Sequence, residues 1–317
     1  MGTQRRGVGR RPGERGTRAQ RRFPACAGPM DSGLRLPAPQ RAGTRERRSR
    51  RGRGRGTIGP LHLQGRARHA READGEPVTR FTKLSGAGND FILVAAPGRG
   101  PALARKWCPR GSAIGADGIL VVSKNPRPRV RYYNADGSPA FCGNGMRCAA
   151  WWMHDAGWTG SSFTMDTPGG VLKARILGAN RASVQMPDIR LLAKNRVDTG
   201  VPHAVVRVAS ASLDRLDPIS LGRPLRKKFN ANVDFVAIGK DGSVRLRTYE
   251  RGVENETLAC GTGVVAAAWF ASGWTKRPAP ISVRARGGLL RVRFQPDGTG
   301  VFLEGPVHKI YDGETRL

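Results

Sequence analysis

From Phe81 onward the chain alternates short apolar runs with breaks rich in Gly and Asp. Phe81-Thr-Lys-Leu84 reads as a strand leading into a Gly-rich turn, Ser85-Gly-Ala-Gly-Asn-Asp90, and Phe91-Ile-Leu-Val-Ala95 reads as the next strand. Gly118-Ile-Leu-Val-Val-Ser123 and Val130-Arg-Tyr-Tyr133 are further strands by their β-branched and aromatic content. After Cys142 the period changes: Met146, Ala149, Ala150 and Met153 recur at helical spacing. After Cys260 the run Val264-Val-Ala-Ala-Ala-Trp-Phe-Ala271 is apolar on every side, the pattern of a fully buried helix. Each of these two regions therefore predicts a buried helix wrapped by β-structure, with a cysteine at the helix start.

The pattern is duplicated. Cys142-Gly-Asn-Gly-Met-Arg-Cys-Ala-Ala-Trp-Trp152 aligns without a gap on Cys260-Gly-Thr-Gly-Val-Val-Ala-Ala-Ala-Trp-Phe270. Upstream, Arg129-Val-Arg-Tyr-Tyr-Asn134 parallels Arg245-Leu-Arg-Thr-Tyr-Glu250, and downstream Gly169-Gly-Val-Leu-Lys173 parallels Gly287-Gly-Leu-Leu-Arg291. Val184-Gln-Met-Pro187 closes the first copy as Val301-Phe-Leu-Glu-Gly-Pro306 closes the second. A repeat of this length predicts two similarly folded halves, residues 78–195 and 196–317, linked near Leu192 to Asp198. A pseudo-two-fold axis between them would bring the two cysteines face to face across a shared cleft.

The first 77 residues do not follow this pattern. They hold 20 Arg, no Lys and six acids, a net +14 of the chain's +31. Arg45-Glu-Arg-Arg-Ser-Arg-Arg-Gly-Arg-Gly-Arg-Gly56 contains no apolar residue, so it cannot offset the entropy of ordering itself. A basic arm could bind nucleic acid or another polyanion, or serve as an Arg-rich targeting sequence. The favoured reading is a disordered extension, or one not translated in the cell, with Val78 a possible start. The remaining +17 has no sequence-level account beyond attraction to anions. No run is long and apolar enough to span a membrane, so no membrane partner is expected.

Five cysteines, Cys26, Cys108, Cys142, Cys148 and Cys260, form no disulfide framework and no CxxC pair, which predicts free thiols in a reducing cytoplasm and no zinc site. Gly261-Thr-Gly-Val-Val-Ala266 matches part of a dinucleotide-binding fingerprint, but no clear strand precedes it and no acid follows until Asp297. A thiol at a helix N-terminus sits where unpaired N–H groups and the helix dipole favour negative charge. Its pKa is expected to fall from about 8.5 toward neutrality. One cysteine can then act as base while the other, still protonated, acts as acid. The Gly-x-Gly after each leaves N–H groups uncovered for a carboxylate. Together these describe a two-thiol racemase acting at an amino-acid α-carbon with no cofactor and no metal. Cys148, six residues into its helix, is expected to pack in the core.

At these residues the chain resembles the diaminopimelate epimerase family. The resemblance covers residues 79–317 and rests on Lys83-Leu-Ser-Gly-Ala-Gly-Asn-Asp-Phe91, Asn134-Ala-Asp-Gly-Ser138 before Cys142-Gly-Asn-Gly145, and Glu250-Arg-Gly252 before Ala259-Cys-Gly-Thr-Gly263. It implies an α/β (α+β) fold of two pseudo-symmetric domains, each a mixed or antiparallel sheet rolled around a central helix, assembled as a homodimer. It implies Cys142 and Cys260 as the acid/base pair, and the amides of Gly143-Asn144 and Gly261-Thr262 as the carboxylate cradle. Asn89, Asn134, Asn232, Glu250 and Arg251 would hold the rest of the substrate, and His203 and Glu250 would tune the thiols. Asn89 and Asn134 also read as turn residues, Glu250 and Arg251 as a surface ion pair, and His203 as a structural or solvent-exposed histidine. Departures from the family pattern are Ser85, Gly118, Val201 and a spacer from Asn134 to Cys142 one residue short.

The activity this implies is interconversion of LL- and meso-diaminopimelate, in lysine and peptidoglycan precursor synthesis. The nearest rival is a racemase of proline or hydroxyproline, which Asn144 and the Glu250-Arg251 pair oppose. A polyanion-binding module using the basic arm is the alternative from another class.

Overall fold

The computed structural model describes residues 78–95, 98–124 and 126–316. The expectations for residues 1–77 lie outside them. The first half comprises β1 (Val78–Gly86), β2 (Asn89–Val94), α1 (Gly100–Trp107), β3 (Gly118–Ser123), β4 (Arg129–Asn134), β5 (Pro139–Ala140), α2 (Gly143–Asp155), β6 (Ser162–Thr167), β7 (Gly170–Gly178), β8 (Arg181–Gln185) and β9 (Arg190–Ala193). The second repeats this order: β10 (Arg196–Asp198), β11 (Pro202–Val208), α3 (Pro218–Phe229), β12 (Asn232–Ile238), β13 (Val244–Glu250), β14 (Asn255–Thr257), α4 (Gly261–Thr275), β15 (Ile281–Ala285), β16 (Gly288–Arg293), β17 (Phe302–Pro306) and β18 (His308–Arg316).

The strand pairings repeat as well. β2 runs parallel to β3 as β11 does to β12, and β3 is antiparallel to β4 as β12 is to β13. The sequence β6–β7–β8 recurs as β15–β16–β17. The halves are interlocked at three places. β9 pairs with β10, β18 pairs with β1, and β8 pairs antiparallel with β17. In that last pair Val184 lies opposite Leu303, each three residues before the proline that closes its repeat. Two equivalent residues meeting in this way mark the pseudo-two-fold axis.

α2 is wrapped by β2, β3, β4, β7 and β8, and α4 by β11, β12, β13, β15 and β16. Sheets can close this tightly because both helices present small residues. Ala149 and Ala150 of α2, and Ala266, Ala267 and Ala268 of α4, are fully buried. One contiguous apolar core runs through both halves and contains Val184, Met186 and Leu303 at the axis. Burying each large aliphatic or aromatic side chain contributes about 1.5–3 kcal/mol before entropy is counted. Cys148 is fully buried in this core.

Two local expectations need correction. The Gly-rich turn is smaller than its sequence suggests. β1 and β2 stay paired up to Gly86 and Asn89, and only Ala87 and Gly88 form the turn, both with positive φ. Such a tight turn matches the twist of the flanking strands. Gly287 allows it to dock on the second half, since a Cβ there would lie 2.0 Å from the Ala87 carbonyl oxygen. A short strand, β14, does precede the Cys260 motif, paired with β13. It is too short and polar to register in an apolar pattern.

Among the described residues no helix is long and apolar enough to cross a membrane, and no group of three or more His, Cys, Asp or Glu could hold a metal ion.

Candidate active site

The two cysteines are the N-caps of the two central helices. Cys142 and Cys260 both have extended backbone, and the first helical bonds run from Met146 N to Cys142 O (2.8 Å) and from Val264 N to Cys260 O (2.9 Å). Residues 143–145 and 261–263 therefore have no helical carbonyl to bond. The Gly145 N–H donates to Cys142 Sγ at 3.5 Å. The helix starts abut across the axis: a Cβ on Gly261 would lie 3.7 Å from Gly143 Cα and 3.2 Å from Leu303 Cδ2. Glycine at both positions lets the two N-termini converge on one place.

The expected fall in thiol pKa does not hold. Burial pushes Cys142 up to about 11, against the lowering pull of the Gly145 and Asn144 N–H groups and the Arg147 cation. Burial also pushes Cys260 well above its ordinary value, and the nearby carboxylates of Glu250 and Asp234 add to the rise. Desolvation of a thiolate outweighs two or three amide dipoles at these depths. Each sulfur is a thiol at neutral pH until something else accepts its proton or neutralises its charge.

Most of the expected binding side chains are found together, and they hold one another. Asn144 Nδ2 donates to Asn89 Oδ1 (2.7 Å) and to Ala259 O (3.1 Å), while Asn144 Oδ1 accepts from Arg147 Nη1 (2.9 Å). Asn89 Nδ2 donates to Asp117 Oδ2 (2.9 Å). Asn232 Oδ1 accepts the Arg251 N–H (2.7 Å) and its Nδ2 faces His203 Nε2 (3.3 Å). Thr262 Oγ1 lies 2.9 Å from His203 Nε2 and 3.3 Å from Cys260 Sγ. Asn134 bonds to Ser138, within its own turn.

Glu250 and Arg251 take separate partners. Burial pushes the Glu250 carboxyl above the usual range, opposed by a hydrogen bond with Thr257 and by His203, and its charge acts on both thiols. Arg251 Nη1 donates to Asn230 O at 2.9 Å. His203 is completely buried, so it is not a surface histidine.

Four features were not foreseen from the sequence. Arg147 is fully buried, and among the described residues its Nε and Nη2 have no hydrogen-bond partner, leaving a cation bonded to Asn144 whose charge acts on Cys148 and Cys142. Asp234, also fully buried, pairs with His203 Nδ1 at 2.7 Å and accepts from Thr248 Oγ1 at 2.7 Å. A lone acid inside the apolar run Val233-Asp-Phe-Val-Ala237 was a readable signal for it. Asp117 and Arg110 join Asp90 and Lys83 in fixing the β1–β2 turn that carries Asn89. Gly263 gives α4 room to sit on Asp234, since a Cβ there would be 2.6 Å from Asp234 Oδ1.

Chemically, the arrangement offers two sulfurs at converging helix starts, first-turn N–H groups without helical carbonyl partners, which suit a carboxylate, and buried charges of both signs.

The chain is similar to proteins already known. The diaminopimelate epimerase family profile matches residues 81–192 and 196–310. A diaminopimelate epimerase from Hydrogenobaculum is 35% identical over 270 residues, spanning 74% of this chain and 97% of that protein. One from Chlorobaculum tepidum is 36% identical over 259 residues, spanning 74% of this chain and 100% of that protein. The crystal structure of a phenazine biosynthesis protein from Bacillus anthracis superposes with a TM-score of 0.60 at 14% identity, covering 76% of this chain and 100% of that one. That likeness concerns the fold alone.

Proposed function

Because the chain belongs to the diaminopimelate epimerase family, we propose that it interconverts LL- and meso-diaminopimelate by removing and replacing the hydrogen at one α-carbon. The observation that carries this is the convergence of two cysteine-capped helix N-termini at Gly143 and Gly261. In this reading the N–H groups of residues 143–144 and 261–262 hold the α-carboxylate. Cys142 and Cys260 stand on opposite faces of the α-carbon. One sulfur takes the proton as the other gives one, and the roles exchange in the reverse direction. Their contact with substrate excludes water, so a thiolate competes for a weakly acidic C–H without solvent to quench it.

The distal amino-acid head requires an acceptor and a donor. Glu250 and Arg251 supply them, with Asn232 bonded to the Arg251 N–H and Asn134, at the end of β4, taken as a further substrate contact. Asn89 acts by fixing Asn144, to which it is bonded. A proline or hydroxyproline substrate has no such head to occupy these groups.

The same proposal takes residues 78–195 and 196–317 as the two halves of one subunit, and pairs two such subunits in a cytoplasmic homodimer working in lysine and peptidoglycan precursor synthesis.

The decisive assay is exchange of the α-hydrogen of diaminopimelate with heavy water, followed by mass spectrometry. Wild-type protein should exchange that hydrogen, and Cys142→Ala and Cys260→Ala should each abolish epimerisation. Substantial turnover by either variant, or turnover of proline but not diaminopimelate, overturns the proposal.

A further inference from the structure

The pseudo-symmetry supplies an internal comparison for Cys260. In the first half, Phe91 is paired with Gly118, and Leu120 lies opposite Tyr132. The same registers in the second half place His203 beside Asn232 and Asp234 opposite Thr248. An apolar cluster behind Cys142, with Phe91 and Tyr132 edge-to-face at 5.8 Å, is thus replaced behind Cys260 by a buried imidazole, a carboxylate and a hydroxyl. Both versions pack under the second glycine of the Gly-x-Gly motif: Leu120 under Gly145, Asp234 under Gly263. Three polar groups at fully buried or nearly fully buried positions cost free energy unless all are bonded, and here they are.

The direction of each hydrogen bond follows from the fixed donors. Asn232 Oδ1 is occupied by the Arg251 N–H, so its NH₂ faces His203 Nε2, which must accept. The imidazole proton is therefore on Nδ1 and is donated to Asp234 Oδ2. The one lone pair of Nε2 points at both donors, and the closer Thr262 Oγ1–H at 2.9 Å takes the larger share over the Asn232 NH₂ at 3.3 Å; this leaves Thr262 Oγ1 free to accept from the Cys260 S–H at 3.3 Å. The chain reads S–H to Oγ, O–H to Nε2, Nδ1–H to carboxylate, with every donor aimed the same way.

We propose that Asp234 is a positioning residue for proton transfer at Cys260, holding His203 so that the thiol proton can pass through Thr262 to the imidazole. As Cys260 S–H gives its proton to Thr262 Oγ1, the Thr262 hydroxyl proton moves to His203 Nε2. The result is a thiolate and an imidazolium that Asp234, still ionised, stabilises. When the thiolate later takes a substrate proton, the imidazolium returns its own by the same route. Asp234 touches no substrate; it acts through His203, as the carboxylate of a serine-protease triad does. This rests on the epimerase reading for its purpose but not for its test.

Three ionisable groups face Cys260: His203 from β11, Asp234 from β12 and Glu250 from β13. By charge alone Asp234 opposes a thiolate, so removing it should speed thiol reactions. Acting through His203 it does the reverse. The two roles predict opposite signs.

The experiment is iodoacetamide labelling of the full-length protein from pH 6 to 9, with peptide mass spectrometry resolving Cys260 from Cys142. Asp234→Asn should slow labelling of Cys260 about tenfold or more at pH 7, and change Cys142 less than about twofold. Labelling of Cys260 that is unchanged or faster overturns the proposal. If Asp234→Asn does not fold, Thr262→Val and Thr262→Ser decide, because both leave the His203–Asp234 pair intact. Valine should slow Cys260 and serine should retain its rate; equal rates overturn the proposal. Failure of wild-type protein to turn over diaminopimelate, with this labelling pattern present, would refute the epimerase reading and leave the relay standing.

Discussion

Asn144 Nδ2 donates to the carbonyl of Ala259 at 3.1 Å, so the side chain two residues after Cys142 is tied to the residue just before Cys260. The bond crosses between halves and is buried. It couples the position of the α2 N-terminus to that of the Cys260 loop. Asn144 is also the partner of Asn89 and of Arg147, so its amide has a role at all three contacts.

Asn144→Ala should therefore lower stability as well as activity. It strands the Ala259 carbonyl, the Asn89 oxygen and the Arg147 guanidinium together, each loss worth about 1–3 kcal/mol when a buried group is left unpaired. The urea midpoint should fall clearly, and turnover should drop further than the loss of folded protein explains. A variant with wild-type midpoint and turnover would show that the amide is not needed.

Arg147 is a buried cation that favours the Cys142 thiolate. Arg147→Met removes that help while filling a similar volume. A buried charge without a full set of partners adds little net stability, so the melting temperature should change little. Burial pushes the Cys142 thiol up to about 11, so its labelling by iodoacetamide should rise with pH toward that value. In Arg147→Met the rise should shift to higher pH, slowing Cys142 at any fixed pH below it. An unshifted Cys142 profile would contradict this.

Glu250 carries a carboxyl raised by burial. Its ionised form is penalised in the folded protein and not in the unfolded one. The penalty is fully present at neutral pH and disappears as pH falls through the raised folded value toward the ordinary carboxylate range. Compared with Glu250→Gln, which cannot ionise, the wild type should gain stability as the solution is acidified from neutral over that window. Parallel melting curves of the two proteins across pH would refute it.

Gly287 and Gly273 should respond in opposite ways to the same substitution. Gly287→Ala places a methyl 2.0 Å from the Ala87 carbonyl oxygen, and backbone cannot yield as a flexible side chain can. It should cost about 1–3 kcal/mol and loosen the turn that holds Asn89. Gly273 lies in α4 with nothing within 4 Å of an added Cβ, so Gly273→Ala should stabilise by about 0.5–1 kcal/mol. Denaturant midpoints for both variants check the pair.

Local pattern carried much of the fold. Helical spacing at Met146, Ala149, Ala150 and Met153 located α2, and unbroken apolarity from Val264 to Ala271 located α4, because these helices bury most of their surface. The duplicated motifs gave the repeat, and Cys-Gly-x-Gly gave both helix starts. β14 and the true extent of the β1–β2 hairpin were not legible, since their strands are stabilised by pairing partners rather than by their own apolar content.

The sequence by itself determined which residues begin the two central helices and that the halves share one design. Tertiary structure alone decided how the halves interlock, with Val184 against Leu303 on the axis and β9 and β18 each crossing to the opposite half. It also decided the state of the thiols. A helix start argues for a low pKa, but desolvation is set by everything packed around the sulfur, and it prevailed at both. The difference between the two sulfurs is likewise tertiary. Phe91 and Leu120 stand behind one, His203 and Asp234 behind the other, and these pairs meet their cysteines only when strands distant in the chain fold together.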